Sequence, residues 1–256
     1  RKKANHDDVW GLPYPSKLMG ATIAGAALYA QVTPRPADAE KILAIGRKAA
    51  DYLISLNLAA GTPLEHMPPT YAAAGAFNEY AKPFMVRNNV MMNFPGVAAE
   101  AYLDFYDATQ EKKYYEAALR IAKTYKKLQL PEGTWYQVVD NNTGKGAFET
   151  LLNPVKVIRF ANRLIEQYGL EEYKDMRDKA FDFVMESTVK TFNWQAQYED
   201  AAPRPPYNNL SPGQACEFAD YLFKYYKENE EYKKLALELI RFAEGQYVTW
   251  ENPKEI

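Results

Sequence analysis

Four stretches of the 256-residue chain repeat one helical pattern, and that self-similarity limits the fold more than anything else in the sequence. With Ile42, Tyr115, Tyr173 and Tyr232 as position zero, Ile45, Ala118, Met176 and Leu235 stand three residues on. Ala49, Ala122, Ala180 and Leu239 stand seven on, and Tyr52, Tyr125, Phe183 and Phe242 stand ten on. Offsets of 0, 3, 7 and 10 share one helical face, so each stretch is expected to be an amphipathic helix with an aromatic near its end.

A second, less polar helix precedes each of these. Pro95, Pro154 and Pro212 each open one, with Asn153 and Ser211 placed as N-caps and Ser16 beginning the equivalent helix of the first unit. These helices are rich in small residues, such as Gly20, Ala21, Ala24 and Gly25 or Ala98, Ala99 and Ala101, which suits a helix enclosed by close neighbours. The unit is therefore an αα-hairpin, recurring at 59 and 58 residues from Pro95 to Pro154 to Pro212. Connections within a hairpin are short and charged. Those between hairpins are long, roughly 57–88, 130–153 and 191–210. In an up-and-down array alternate loops emerge at opposite ends, so the long loops should share one face. The expected fold is all-α: an array of four αα-hairpins in one domain over 1–256, with one small β-hairpin insertion near 135–148.

Tryptophan follows the repeat. Trp135, Trp194 and Trp250 lie 20, 21 and 18 residues beyond position zero of their units, and Trp10 precedes the first hairpin where an earlier unit would have placed its own. The expectation is that one or two hairpins of the complete protein lie upstream of Arg1, and that further hairpins of the same protein are partners of this piece.

Composition narrows the function classes. Net charge is −2, which gives no electrostatic footprint for nucleic acid or an anionic membrane. The longest apolar run, Leu18 to Ala30, is too short to span a bilayer and fits the first helix of the repeat better than a signal segment. A lone Cys216, expected as a small core residue, and two histidines leave neither a disulfide framework nor a His- or Cys-rich metal centre. Phosphate-binding glycine loops, nucleophile elbows and zinc-type His spacings are missing, so neither cofactor nor metal is expected. Asp140-Asn141-Asn142-Thr143-Gly144 looks superficially like a calcium loop but lacks the closing Glu, and reads better as a hairpin turn.

The run Tyr102-Leu103-Asp104-Phe105-Tyr106-Asp107, then Lys113-Tyr114-Tyr115-Glu116-Ala117-Ala118, then Leu130-Pro131-Glu132-Gly133-Thr134-Trp135-Tyr136, resembles one hairpin of an (α/α) toroid. Such hairpins occur in six-hairpin glycosidases and toroidal polysaccharide lyases. Trp194-Gln195-Ala196-Gln197-Tyr198-Glu199-Asp200 with Pro206-Tyr207-Asn208-Asn209 resembles the inter-hairpin loops of bacterial toroids. The resemblance implies a complete or partial toroid from a bacterial carbohydrate-active protein, periplasmic or secreted, with substrate bound where the inner helices begin. It brings no diagnostic catalytic motif.

Reactive residues gather on the expected long-loop face. Sugar rings need an apolar platform and amide or carboxylate partners for their hydroxyls, which Trp10, Trp135, Trp194, Arg87, Asn88, Asn89, Gln197, Tyr207 and Asn208 supply in type. For Trp135 and Trp194, packing at the seam between hairpins is the stronger alternative. Hydrolysis requires two carboxyl groups flanking the bond, drawn here from Glu199 or Asp200 with Asp8, Glu65 or Asp140. Elimination from a uronic acid requires a base and groups that neutralise the carboxylate, for which His66, Tyr71, Arg87 and Asn88 or Asn89 are of the right type. His66, before Met67-Pro68-Pro69, also suits a rigid turn. The chain is thus expected to process a poly- or oligosaccharide as a hydrolase or lyase. A non-catalytic glycan-binding module and a helical-repeat scaffold for proteins are the alternatives.

Overall fold

The computed structural model describes residues 14–71, 85–199, 201 and 203–247. These hold eight α-helices in four hairpins: α1 (Pro15–Val32) with α2 (Pro36–Ser55), α3 (Phe94–Thr109) with α4 (Lys112–Leu128), α5 (Val155–Tyr168) with α6 (Lys174–Phe183), and α7 (Pro212–Tyr225) with α8 (Glu230–Tyr247). The first helices of successive hairpins pack on one another, α1 on α3, α3 on α5 and α5 on α7, and form an inner row. The second helices pack mainly on their own partners and form an outer row. None of the described helices is long and apolar enough to cross a membrane, and Leu18 to Ala30 lies within α1.

The repeat positions explain this layering. Ala49, Ala122, Ala180 and Leu239, seven residues beyond position zero of each unit, are all buried against the inner row. The aromatic ten residues beyond position zero is fully buried in the second hairpin, where Tyr125 accepts from the Gly96 N–H at 2.8 Å and donates to the Met92 carbonyl. Close packing of the rows demands small residues. A Cβ on Gly46 of α2 would lie 2.5 Å from the Phe105 ring of α3 and 2.8 Å from Ala26 of α1.

Helix starts follow the prolines with differences in detail. Ser211 caps α7 through its side chain, accepting from the Gly213 N–H. Asn153 makes no cap, because α5 begins one residue later behind Pro154. Ser16 lies inside α1, where its hydroxyl donates to the Pro69 carbonyl at 2.7 Å and fastens the first long loop. Cys216 is exposed rather than in the core, since it falls off the Ala215, Phe218, Ala219 stripe that α7 buries.

The described parts of the three long loops lie at one end. The first supplies β1 (Asn89–Met91) and the second β2 (Val138–Asp140), which pair antiparallel with Asn89 opposite Asp140 and Met91 opposite Val138. The expected local hairpin is present beside this ladder: the Asp140 N–H reaches the Lys145 carbonyl at 2.9 Å and the Ala147 N–H reaches Val138 at 2.8 Å. Its turn is closed by the Asp140 carboxylate, which accepts from the Asn142 N–H at 2.7 Å, and by Gly144 at φ +69. The third loop joins the second through Gln197, as described below.

Candidate functional site

The inner row encloses a cavity of about 450 Å³ at the long-loop end. Lys17, Gly20, Ala21 and Ala24 of α1 form one wall, Asn93, Phe94, Val97, Glu100 and Asp104 another; Lys156, Gln214 and Glu217 come from α5 and α7. Gln197, Tyr198 and Glu199 of the third loop close the rim. A second cavity of about 560 Å³ continues toward the short loops, sharing Glu100 and Asp104 and adding Arg159, Arg163, Asp220 and Lys224.

The charges in these cavities follow the repeat. Five residues beyond the helix-opening prolines stand Glu100, Arg159 and Glu217; nine beyond stand Asp104, Arg163 and Tyr221. At the first of these levels successive inner helices carry opposite charge; at the second, Asp104 and Arg163 do, and α7 holds Tyr221. Arg163 donates to Asp104 at 2.5 Å and to Asp107 at 2.8 Å, Lys156 pairs with Glu217, and Arg159 stands 3.9 Å from Glu100. Glu199, 5% exposed, receives Lys17 at 2.5 Å, a pair that joins the third loop to the start of α1. Such pairing offsets the loss of hydration that burying a carboxylate entails. Glu100 differs from the rest. Burial, the largest influence, pushes its carboxyl above the usual range despite Arg159 and Arg163, and the nearby Asp104 carboxylate adds to the rise.

Among the residues singled out in the sequence, Glu199 and Gln197 line this cavity together. The others stand elsewhere. Trp135 is fully buried, its ring edge-on to Tyr125 and its indole N–H donating to the Tyr125 carbonyl at 2.9 Å. Trp194 is fully buried beside Phe218. Both fill seams, and neither has a ring face open to a ligand. Tyr71 is fully buried in a small cluster with Met85, Tyr14 and Phe148. His66 sits at φ +64 in a turn, its N–H on the Leu58 carbonyl; the preceding Glu65 carbonyl accepts from Thr124 of outer helix α4. Neither Tyr71 nor His66 lines either cavity. Arg87 donates to the Leu56 carbonyl at 2.9 Å, Asn88 is exposed and reaches Asn142, and Asn89 is buried in β1. The exposed Tyr207, at φ +65, donates to the Thr191 carbonyl, and the exposed Asn208 lies in the turn after it. Trp10 and Asp200, with Asp8 and Trp250, fall outside the described residues.

His66, Tyr71, Arg87 and Asn88, grouped in the sequence as an elimination centre, thus lie off both of these cavities. Of these, the Arg87 guanidinium is engaged by a backbone carbonyl, and His66 sits in a turn held through its main chain. What the sequence reading passed over is the inner-helix charge: Glu100 and Asp104 on α3, Lys156, Arg159 and Arg163 on α5, Glu217 and Asp220 on α7. Their helical spacing on segments otherwise rich in small and apolar residues was the available signal. The described residues contain no His, Cys, Asp and Glu grouping suited to a metal ion.

No protein-family model matches the chain, and no curated protein matches it. Solved structures do. The chain is similar to cellobiose 2-epimerase from Spirochaeta thermophila DSM 6192, with a TM-score of 0.54 and 12% identity over 90% of this chain and 55% of that one. It is similar also to a glycosyl hydrolase family 88 protein from Bacteroides vulgatus, with a TM-score of 0.51 and 15% identity over 82% of this chain and 59% of that one. The chain thus spans little more than half the length of these structures. At such identity the likeness carries the fold, and the hairpin array is of the (α/α)-toroid type they share.

Proposed function

We propose that this chain is carbohydrate-active and handles a poly- or oligosaccharide in the cavity at the long-loop end. The observation that carries the reading is the convergence of Glu100, Glu199 and Glu217 with the amides Asn93, Gln197 and Gln214 around one cavity of about 450 Å³. The names of the two similar structures, a cellobiose epimerase and a glycosyl hydrolase, support it at the level of substrate class.

Within that class, hydrolysis fits these residues better than elimination. A glycosidic bond is broken by one carboxyl that donates a proton and a second that acts opposite it. Glu100 has the raised proton affinity a donor needs, because burial disfavours its charged form. Glu199, held by Lys17, is the candidate for the opposing carboxylate. The base and neutralising groups that elimination would require, His66 and Arg87, lie off the cavity.

The test is release of reducing ends from a panel of neutral and uronate-containing oligosaccharides. Turnover by the parent with at least a hundredfold loss in Glu100→Gln and Glu199→Gln is the expected outcome. Turnover unchanged in both variants overturns these roles. An unsaturated product absorbing in the ultraviolet overturns hydrolysis. The second reading, a glycan-binding module without chemistry, is favoured by the direct cation partners of Glu199, Glu217 and Asp104, and predicts binding without product.

A further inference from the structure

Two residues of α7 that line the cavity, Gln214 and Glu217, each carry a buried acceptor oxygen with no donor among the described residues. Gln214 and Glu217 are three residues apart, so their side chains share one helical face. The orientation of Gln214 is set by its neighbour. The Gln197 Oε1 accepts from the Asn153 N–H at 3.0 Å, and its Nε2 donates to the Leu151 carbonyl at 2.8 Å. Exchanging oxygen and nitrogen in Gln197 would set donor against donor and acceptor against acceptor, so the amide is locked. Gln214 must then present its NH2 group to Gln197 Oε1, at 3.3 Å. Its own Oε1 is left buried with no donor among the described residues. Glu217 gives Oε1 to Lys156, and its Oε2 is likewise buried without a donor. A third such oxygen, Asn93 Oδ1, belongs to a cavity residue that is 5% exposed.

Buried acceptors without donors are uncommon because each forfeits a hydrogen bond that water had supplied. Three around one cavity ask for a ligand rich in donors. The flanking ammonium groups of Lys17 and Lys156 disfavour a cationic ligand, whereas hydroxyl groups donate to the oxygens and still accept from the lysines.

We propose that Gln214 Oε1 and Glu217 Oε2 form a sugar-hydroxyl subsite, receiving hydrogen bonds from two hydroxyls of one ring, with Gln197 as the positioning residue that fixes Gln214. This rests on the carbohydrate reading above and assigns recognition to α7, leaving Glu100 and Glu199 for chemistry. A ring lacking one of those hydroxyls returns an acceptor to its unpaired state, so the subsite discriminates strongly against deoxy analogues.

Calorimetric titration of the full chain with cellobiose, xylobiose, mannobiose and chitobiose identifies the tightest disaccharide, which is then compared with its monodeoxy forms. Gln214→Leu should weaken it about tenfold and Glu217→Gln by more, while Glu238→Ala on the exposed side of α8 changes nothing. One monodeoxy form should bind the parent about tenfold more weakly, yet bind Gln214→Leu no more weakly than the full sugar does. The deoxy comparison on the parent needs no variant to fold. Binding within twofold of the parent for both variants, or equal affinity for every deoxy form, overturns the subsite and leaves the carbohydrate reading in place. Failure of every disaccharide to bind the parent at millimolar concentration overturns both.

Discussion

In the second hairpin Trp135 follows Tyr115 by 20 residues; in the third, Trp194 follows Tyr173 by 21. The two units keep register as far as Tyr125 and Phe183, and there they part. From Val184 to Val189 the third unit's outer helix winds as a π-helix, which holds more residues per turn than an α-helix. Both indoles nevertheless reach fully buried seats. Their polar ends fare differently. Trp135 bonds to the Tyr125 carbonyl, whereas the Trp194 N–H is buried without an acceptor among the described residues. The pair teaches that the repeat conserves a volume to be filled at each seam, and that the hydrogen bond is a feature of one seam only.

Truncation should produce the largest effects. Trp135→Ala and Trp194→Ala each remove a fully buried ring and should destabilise the chain by about 3–5 kcal/mol in urea unfolding. Equal seats imply losses of similar size, and a negligible loss at Trp194 would break the comparison. Replacement by Phe isolates the polar end. Trp135→Phe should cost about 1 kcal/mol more than Trp194→Phe, because only the former gives up a hydrogen bond.

The same two hairpins differ in charge at equivalent positions, Glu100 against Arg159. Because the carboxyl of Glu100 is raised above its ordinary 4.5, the folded chain holds that proton more tightly than the unfolded chain does. Its ionisation therefore weakens the fold as pH climbs from about 4.5 through the raised value. Thermal melts should show Glu100→Gln matching the parent in acid and melting higher toward neutral pH. A variant that melts lower at pH 8 would make the contact with Arg159 dominant over burial. The smallest effect is expected from deleting Glu186, which lies exposed inside the π-helix. Its loss should restore α-helical winding with little change in melting temperature, whereas deleting Lys123 from the regular α4 should misplace Tyr125 and Trp135. Circular dichroism melts compare the two directly.

Hairpins, helix boundaries and the common face of the long loops were legible in the sequence because helical periodicity and proline placement are local signals. The seam role of tryptophan was legible as one of two readings, from its regular spacing. The cavity was harder. His66, Arg87 and Asn88 attract attention by residue type, but type does not reveal that Arg87 meets a backbone carbonyl, that Asn88 reaches Asn142, or that His66 sits in a tight turn. Lys17, Lys156 and Glu217 are ordinary charged residues in helices, where a solvated face is the usual reading. They gain meaning only when three inner helices bring them to one cavity, a long-range fact. The locked amide of Gln197 is longer-range still, since its partners Leu151 and Asn153 lie one hairpin earlier.

The β1–β2 ladder has a bearing on how the chain assembles. Asn89 and Asp140 flank the whole α3–α4 hairpin, so their pairing closes a long loop whose entropy must be met before the ladder repays it. Helical hairpins, with their local contacts, condense faster than such a clasp. The β1–β2 ladder is consequently expected to form late, after the second hairpin has docked. In native-state hydrogen exchange, the Val90 and Val139 amides, which face each other in the ladder, should open together with α3 and α4 rather than fray as independent loop ends.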